Sequence, residues 1–263
     1  MTTNEYLTLF ISLLALVVSI AAAFVTYRQE NRSQRTTIRE QLTSVVQDLI
    51  VAQGDMTVLD AEPLESRDAT YTARTASANL KLTSLARQAC ALNNMQTDVG
   101  FDVESIAIAT ALATMGDLPL AEEYFKNAIA KSPSPYYKVV NLGLYANFLY
   151  RQSRHAEGRR IYVDSLSVLD NSTDFNRWAN GSTYQSWFVN EVWNERGSTD
   201  DANMCYVNAR NLYQSIGDAG MRETAIHGLE SARASSPPGE RSTMGGGAPQ
   251  VLGSADVQDP PKA

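Results

Sequence analysis

From Tyr6 to Tyr27 the chain reads YLTLFISLLALVVSIAAAFVTY, apolar on every side of a helix and free of charged residues. At roughly 1.5 Å per residue such a run covers the roughly 30 Å hydrocarbon core of a bilayer. Its few hydroxyls, Thr8, Ser12, Ser19 and Thr26, can bond back to helix carbonyls. The pattern predicts a transmembrane helix over residues 6–27, with Tyr6 and Tyr27 in the two headgroup zones. A cleaved signal peptide competes, because Ala21-Ala22-Ala23 imitates a small-residue cleavage site. The opening MTTNE lacks the basic residues of a signal peptide, and the apolar run exceeds the usual length, so a signal-anchor is favoured.

Beyond the apolar run the periodicity becomes helical and one-sided. Ile38, Leu42, Val45, Leu49 and Ala52 recur at spacings of four and three, a stripe that must be covered. Two heptads are few for a coiled coil, so packing against the rest of the domain is favoured over parallel dimerisation. Gly54 and the stretch Asp60 to Pro63 interrupt the pattern. A second helix reads from about Leu64 to Leu92, with Leu82, Leu85, Ala86, Ala89 and Cys90 inward and Asn93-Asn94 at its end.

After Gly100 the chain repeats itself. In AEEYFKNAIAKSP, Ala121, Phe125 and Ala128 stand at spacings of four and three, and Gly158, Tyr162 and Ser165 recur 37 positions later. Ala109 before Gly116 corresponds in the same way to Ala146 before Ser153. A third copy places Ala202, Tyr206 and Ala209 after Gly197, behind the polar insert DNSTDFNRWANGST. Pro119 falls in a first helical turn, Pro133 and Pro135 keep two helices apart, and Ser198 to Asp201 forms a capping-box-like start. A final helix from about Asp218 to Ala234 carries Met221, Ala225, Leu229 and Ala232 on one side. From Ser235 to Ala263 the composition turns to Pro, Gly and Ser, which predicts a disordered tail.

Ala109, Gly116, Ala121, Phe125, Ala128 and Pro133 resemble, in order, the pattern of the tetratricopeptide repeat (TPR) family: small residues where two helices cross, a turn glycine, an aromatic filler and a terminal proline. The likeness covers residues 101 to 215 and is fullest in the first copy. The repeat of 37 differs from the family's roughly 34 residues, the first-helix tryptophan is absent, and Gly158 and Ser165 stand where alanines are usual. A generic helical solenoid or bundle is the alternative. The expected fold is therefore all-α: an extracytoplasmic N-terminus over 1–5, a transmembrane helix over 6–27, linking helices over 28–100, TPR-like helical hairpins with a capping helix over 101–234, and the tail over 235–263.

Charge and chemistry narrow the functions. A formal net charge of -7 is unsuited to a general nucleic-acid binder, which needs a basic field. Cys90 and Cys205 lie far apart in helical patterns and read as buried free thiols. No phosphate loop, dinucleotide fingerprint, nucleophile elbow or zinc pair occurs, His155 and His227 lack companions at ligand spacing, and Asp200-Asp201 sit at a helix start where acids favour the dipole. No catalytic, cofactor-binding or metal-binding residue is expected, and no enzyme. Asn171-Ser-Thr and Asn180-Gly-Ser are formal glycosylation sequons.

Arg28, Arg32, Arg35 and Arg39 follow the apolar run and only Glu5 precedes it, which predicts the N-terminus outside and the repeats in the cytoplasm. The same arginines lie where anionic lipid headgroups would meet them. The resemblance implies a concave groove lined by the first helix of each pair: Ile106, Thr110 and Ala113, then Gly143, Asn147, Tyr150 and Arg151, then Tyr184, Trp187, Glu191 and Asn194. That set is aromatic and mixed polar, without the basic clamp by which chaperone-binding members hold a carboxylate. It implies a peptide or helix from another protein as ligand, although Trp187 and Trp193 also read as core. The expected function is a membrane-anchored scaffold or adaptor. The alternative is a structural membrane protein that forms a homo-oligomer through its transmembrane and juxtamembrane helices, where Ser19, Ala22 and Ala23 permit close approach.

Overall fold

A computed structural model describes residues 3–63, 65, 67–95, 102–194 and 196–236, with side chains described from Arg28 onward except at residue 31. Among them the regular structure is α-helical throughout. The elements are α1 (Thr3–Asp60), α2 (Ala69–Met95), α3 (Asp102–Thr114), α4 (Leu118–Ala130), α5 (Pro135–Arg151), α6 (His155–Leu166), α7 (Asp174–Trp193), α8 (Thr199–Gln214) and α9 (Ala219–Ala234). They divide into two compact units, Met1–Ala128 and Ile129–Ala263.

In the first unit α1 is a single helix of 58 residues. Gly54 does not end it: a lone helical glycine costs only about 1 kcal/mol, and Met56 and Leu59 prolong the buried stripe of Leu42, Val45, Leu49 and Ala52 beyond it. Helices α2 and α3 cover that stripe, α2 with the fully buried Leu82, Ala86 and Ala89. Gln53 Nε2 donates to the Ala107 carbonyl at 3.2 Å, tying α1 to α3. Helix α2 starts at Ala69, later than the hydrophobic pattern indicates. The carboxylate of Asp68 accepts the Tyr71 N–H at 2.8 Å and so caps it, while Arg67 bonds the carbonyls of Asp60 and Glu62 at the end of α1.

The expected membrane segment falls on residues whose side chains lie outside the described ones, although the backbone of α1 runs through it. Among the described residues no helix is long and apolar enough to cross a membrane. Residues 237–263, the bulk of the expected tail, lie outside the described residues.

The second unit is built from α5 to α9. Ser134, Thr173, Ser198 and Asp218 each cap a helix by accepting the N–H three residues on, the Ser198 cap being the one legible in the sequence. The final helix α9 buries Ala225 and Leu229 against a core of Tyr162, Phe188, Cys205, Tyr206, Ala209 and Tyr213.

The 37-residue displacement is a property of the backbone as well as of the sequence. Gly116 after α3 and Ser153 after α5 both take positive φ, +83° and 57°. In each turn the next N–H reaches back five residues, Asp117 to the Leu112 carbonyl and Arg154 to the Leu149 carbonyl, both at 3.0 Å. This is one helix stop used twice, a left-handed residue that lets the chain fold back to satisfy carbonyls left open at a helix end. The small crossing positions Ala109, Ala121, Ala146 and Gly158 are all buried, as are the aromatics Phe125 and Tyr162.

Candidate interaction groove

Helices α5 and α7 lie side by side in the second unit. Their shared outer face holds a cavity of about 150 Å³. From α5 it is lined by Tyr136, Val140, Gly143, Leu144 and Asn147, and from α7 by Trp178, Ser182, Thr183 and Ser186. Tyr136, Val140, Gly143 and Asn147 on α5, and Trp178, Ser182 and Ser186 on α7, follow one another by three or four, so each helix gives one face to the groove. Gly143 keeps it open, since a β-carbon there would meet nothing within 4 Å. Drug-sized ligands fill cavities of roughly 300 Å³ or more, so this one has room for no more than a side chain or two.

At the N-terminal ends of α5 and α7 the groove runs into a cluster of rings. Tyr136 lies 4.8 Å from Phe175 and 5.5 Å from Tyr137 between ring centres, and Phe175 lies 5.9 Å from Trp178. Tyr137 and Phe175 are each 44% exposed. Asn147 has its side-chain oxygen occupied inward, accepting from the Tyr162 hydroxyl and from Asn190 Nδ2, so its orientation is fixed. No charged side chain lines the cavity.

On the inward side of the same helices sits a buried carboxylate. Glu191, 1% exposed, accepts five hydrogen bonds: from the Tyr150 hydroxyl at 2.5 Å, from Arg159 Nε and Nη2 at 2.7 and 2.8 Å, from Trp187 Nε1 at 2.9 Å and from the Ser198 N–H at 2.8 Å. Arg159 also meets Asp201 at 3.1 Å. Burial alone would raise the Glu191 pKa, but donors from Arg159, Tyr150, Ser198 and Trp187 outweigh it and hold it near about 2. Burial, then the hydrogen bond to that carboxylate, pushes the Tyr150 phenol upward, and the same carboxylate raises the Arg159 guanidinium. The cluster joins α5, α6, α7 and the start of α8, and its chemistry is that of a fastening.

Of the residues expected in the groove, Gly143 and Asn147 line it. Tyr150, Trp187 and Glu191 instead are buried in the unit, Trp187 stacked between Tyr162 at 5.6 Å and Tyr184 at 6.4 Å. Arg151 is exposed at the end of α5, and Asn194 is half-buried where it follows α7, bonded back to the Asn190 carbonyl. Ile106, Thr110 and Ala113 are half-buried on α3 in the first unit. Trp193, read as core in the sequence, is 58% exposed.

The register of α7 explains the difference. The α5 and α7 linings correspond at a displacement of 39, Gly143 with Ser182 and Asn147 with Ser186, whereas α8 trails α6 by 44, Tyr162 to Tyr206. Helix α7 has 20 residues against 17 in α5, and residues 194–198 follow it where 152–154 follow α5, which makes up the other five. On α7 the expected Tyr184 and Trp187 lie two and one positions beyond Ser182 and Ser186 of the lining, a turn of about 100 to 200°, whereas Tyr150 is buried by its own place on α5, three residues past Asn147. Trp178 and Phe175 lie in the polar insert DNSTDFNRWANGST, where an aromatic pair three apart is the signal the sequence carries for them. No family model, no curated protein and no solved structure matches the chain.

Proposed function

We propose that the protein is a membrane-anchored interaction module, a TPR-like array of helical hairpins that holds a peptide or helix of another protein in the groove between α5 and α7. The observation that carries this reading is the uncharged, aromatic-ended groove itself: rings and small polar groups give contact area and hydrogen bonds at little desolvation cost. The repeated helix stop at Gly116 and Ser153 supports the TPR-like reading. The apolar run of Tyr6 to Tyr27 is the anchor, and it raises the effective concentration of partners at the bilayer surface. The role is binding, with no reaction, cofactor or nucleic acid. Self-assembly through the Ile38 stripe is disfavoured because Leu42, Val45, Leu49 and Ala52 are already covered within the chain.

The test is co-purification of the full chain from detergent-solubilised membranes, compared with Gly143→Leu, which plugs the cavity where a β-carbon meets no neighbour. The partner set should vanish while helicity and melting are kept; an unchanged set removes the groove from the reading.

The arginine asymmetry supports a cytoplasmic location for the helical units, and the sequons provide the check. Asn171 is exposed, whereas Asn180 is buried and donates to the Leu169 carbonyl and to Asn171. On insertion into microsomes the chain should stay unglycosylated. Modification at Asn171 would place these helices in the lumen and reverse the topology.

A further inference from the structure

Arg28, Arg32, Arg35 and Arg39 follow one another by four, three and four, and all four are exposed on α1. At about 100° per residue they fall within about 60° of one another around the helix. Glu30 lies on nearly the opposite side, and Glu40 about a third of a turn away. Retention of a segment in the cytoplasm depends on the number of basic residues near the membrane and is indifferent to the face that carries them. A one-sided stripe is therefore more than a topology signal. It is the complement of an anionic surface.

Three features select the surface. First, α1 is continuous from Thr3 to Asp60, so the arginines stand on the same rod as the apolar run. Second, all four arginines are exposed, and the face they share first becomes buried at Val46, two turns beyond Arg39, where helices of the chain cover α1. Third, a parallel second copy meeting on this face would set arginine against arginine. At roughly 1.5 Å per residue Arg28, Arg32, Arg35 and Arg39 stand about 2, 8, 12 and 18 Å beyond Tyr27. The headgroup layer is about 5 to 8 Å deep, and its potential fades over about 8 Å more at physiological salt.

We propose that Arg28, Arg32, Arg35 and Arg39 form a one-sided docking surface for anionic lipid headgroups, which sets the direction in which α1 leans at the bilayer and hence the way the first unit faces. The proposal rests on the reading of residues 6–27 as a membrane span. Its strength is graded: Arg28 and Arg32 reach the headgroups, Arg35 lies within their field, and Arg39 stands at its edge.

The test uses the full chain in phosphatidylcholine vesicles, first washed with alkaline carbonate, then doped with spin-labelled phosphatidylserine or spin-labelled phosphatidylcholine. The motionally restricted fraction of each label gives the preference of the protein for one lipid over the other. A several-fold preference for phosphatidylserine is expected, falling toward unity in about 1 M salt. Arg28→Gln or Arg32→Gln should each lower it by about two- to five-fold, Arg35→Gln by less and Arg39→Gln by least. The combined variant Arg32→Ser, Ser33→Arg, Arg35→Thr, Thr37→Arg keeps the charge and moves two arginines off the face; it should lose as much as neutralising both.

Wild-type preference in that variant would overturn the one-sided surface. Protein stripped by carbonate would sink the membrane reading and the proposal with it, whereas protein retained without lipid preference would sink the proposal alone. A reversed order, with Arg39 dominant and a polyglutamate peptide binding to the protein in phosphatidylcholine vesicles, would assign the stripe to an acidic protein and also overturn it.

Discussion

The two sides of α7 use polar groups in opposite ways. Inward, Glu191 is a full charge taken out of water and matched by five donors drawn from α5, α6, α7 and the residue that caps α8. Outward, Trp178, Ser182 and Ser186 face the cavity without a charge among them. A buried carboxylate with one donor missing is costly, so a saturated cluster permits one arrangement of the helices and penalises others. A groove with the same demands would reject most ligands. Charge in this unit fastens helices together, and the cavity is lined by rings, aliphatic side chains and small polar groups, which lose little on leaving water.

The sharpest way to break this contrast is to remove the fastening. Glu191→Ala leaves Tyr150, Trp187 and the Ser198 N–H without their acceptor and Arg159 with Asp201 alone, and should cost about 3 to 5 kcal/mol in urea unfolding. Ser182→Ala, on the groove side, should stay within about 0.5 kcal/mol. If both variants unfold alike, the two faces do not differ as described.

Acid sharpens the same point. The Glu191 carboxyl titrates near about 2 in the folded chain against an ordinary value of 4.5. A depressed folded value means that the stabilisation is fully present above pH 4.5 and is lost as pH falls from there toward 2; its size is on the order of 3 kcal/mol. Glu191→Gln, already without the charge, should show a flatter fall in melting temperature over that window. A parallel fall in both proteins would assign acid sensitivity to other carboxylates.

Much of this arrangement can be read in the sequence, and the part that cannot has a physical cause. The stripe of Leu42, Val45, Leu49 and Ala52, the helix stop at Gly116 and the cap at Ser198 are local: each follows from residues within a turn or two of one another. Ser153 was legible only as the partner of Gly116, because nothing in its own neighbourhood calls for a left-handed serine. The groove depends on the rotation of α7 against α5. Five residues added beyond the lining, partly at the end of α7 and partly in the turn after it, leave the periodicity intact while shifting any correspondence carried back from α8 off the face that matters. The Glu191 cluster is less legible still, for its donors come from positions 150, 159, 187 and 198, and no spacing rule links a carboxylate to an arginine 32 residues earlier.

A smaller effect is expected at Gly158, where α6 packs closely against α5. A β-carbon on Gly158 would stand 2.5 Å from the ring of Tyr150, far inside van der Waals contact. That ring cannot easily move, since its hydroxyl is held by Glu191 and its face lies 5.2 Å from His155 and 6.0 Å from Tyr162 between ring centres. Gly158→Ala should therefore cost about 1 to 3 kcal/mol despite the better helix propensity of alanine. A melting temperature at or above the wild type would show that the ring yields.

The same substitution on the groove side should act with the opposite sign. Gly143 lies within α5, outside the left-handed region, and a β-carbon on it meets nothing within 4 Å. Alanine there adds no clash and removes backbone freedom from the unfolded chain, a gain of about 0.5 to 1 kcal/mol. A glycine that weakens its own helix, in an open position where any residue would fit, is accounted for by the space it leaves in the groove. Gly143→Ala should thus raise the urea midpoint while narrowing the cavity, and paired with Gly158→Ala it isolates the face as the variable, because residue, helix type and substitution are the same. If Gly143→Ala destabilises the protein, the space above α5 is filled in the folded chain and the groove is not open.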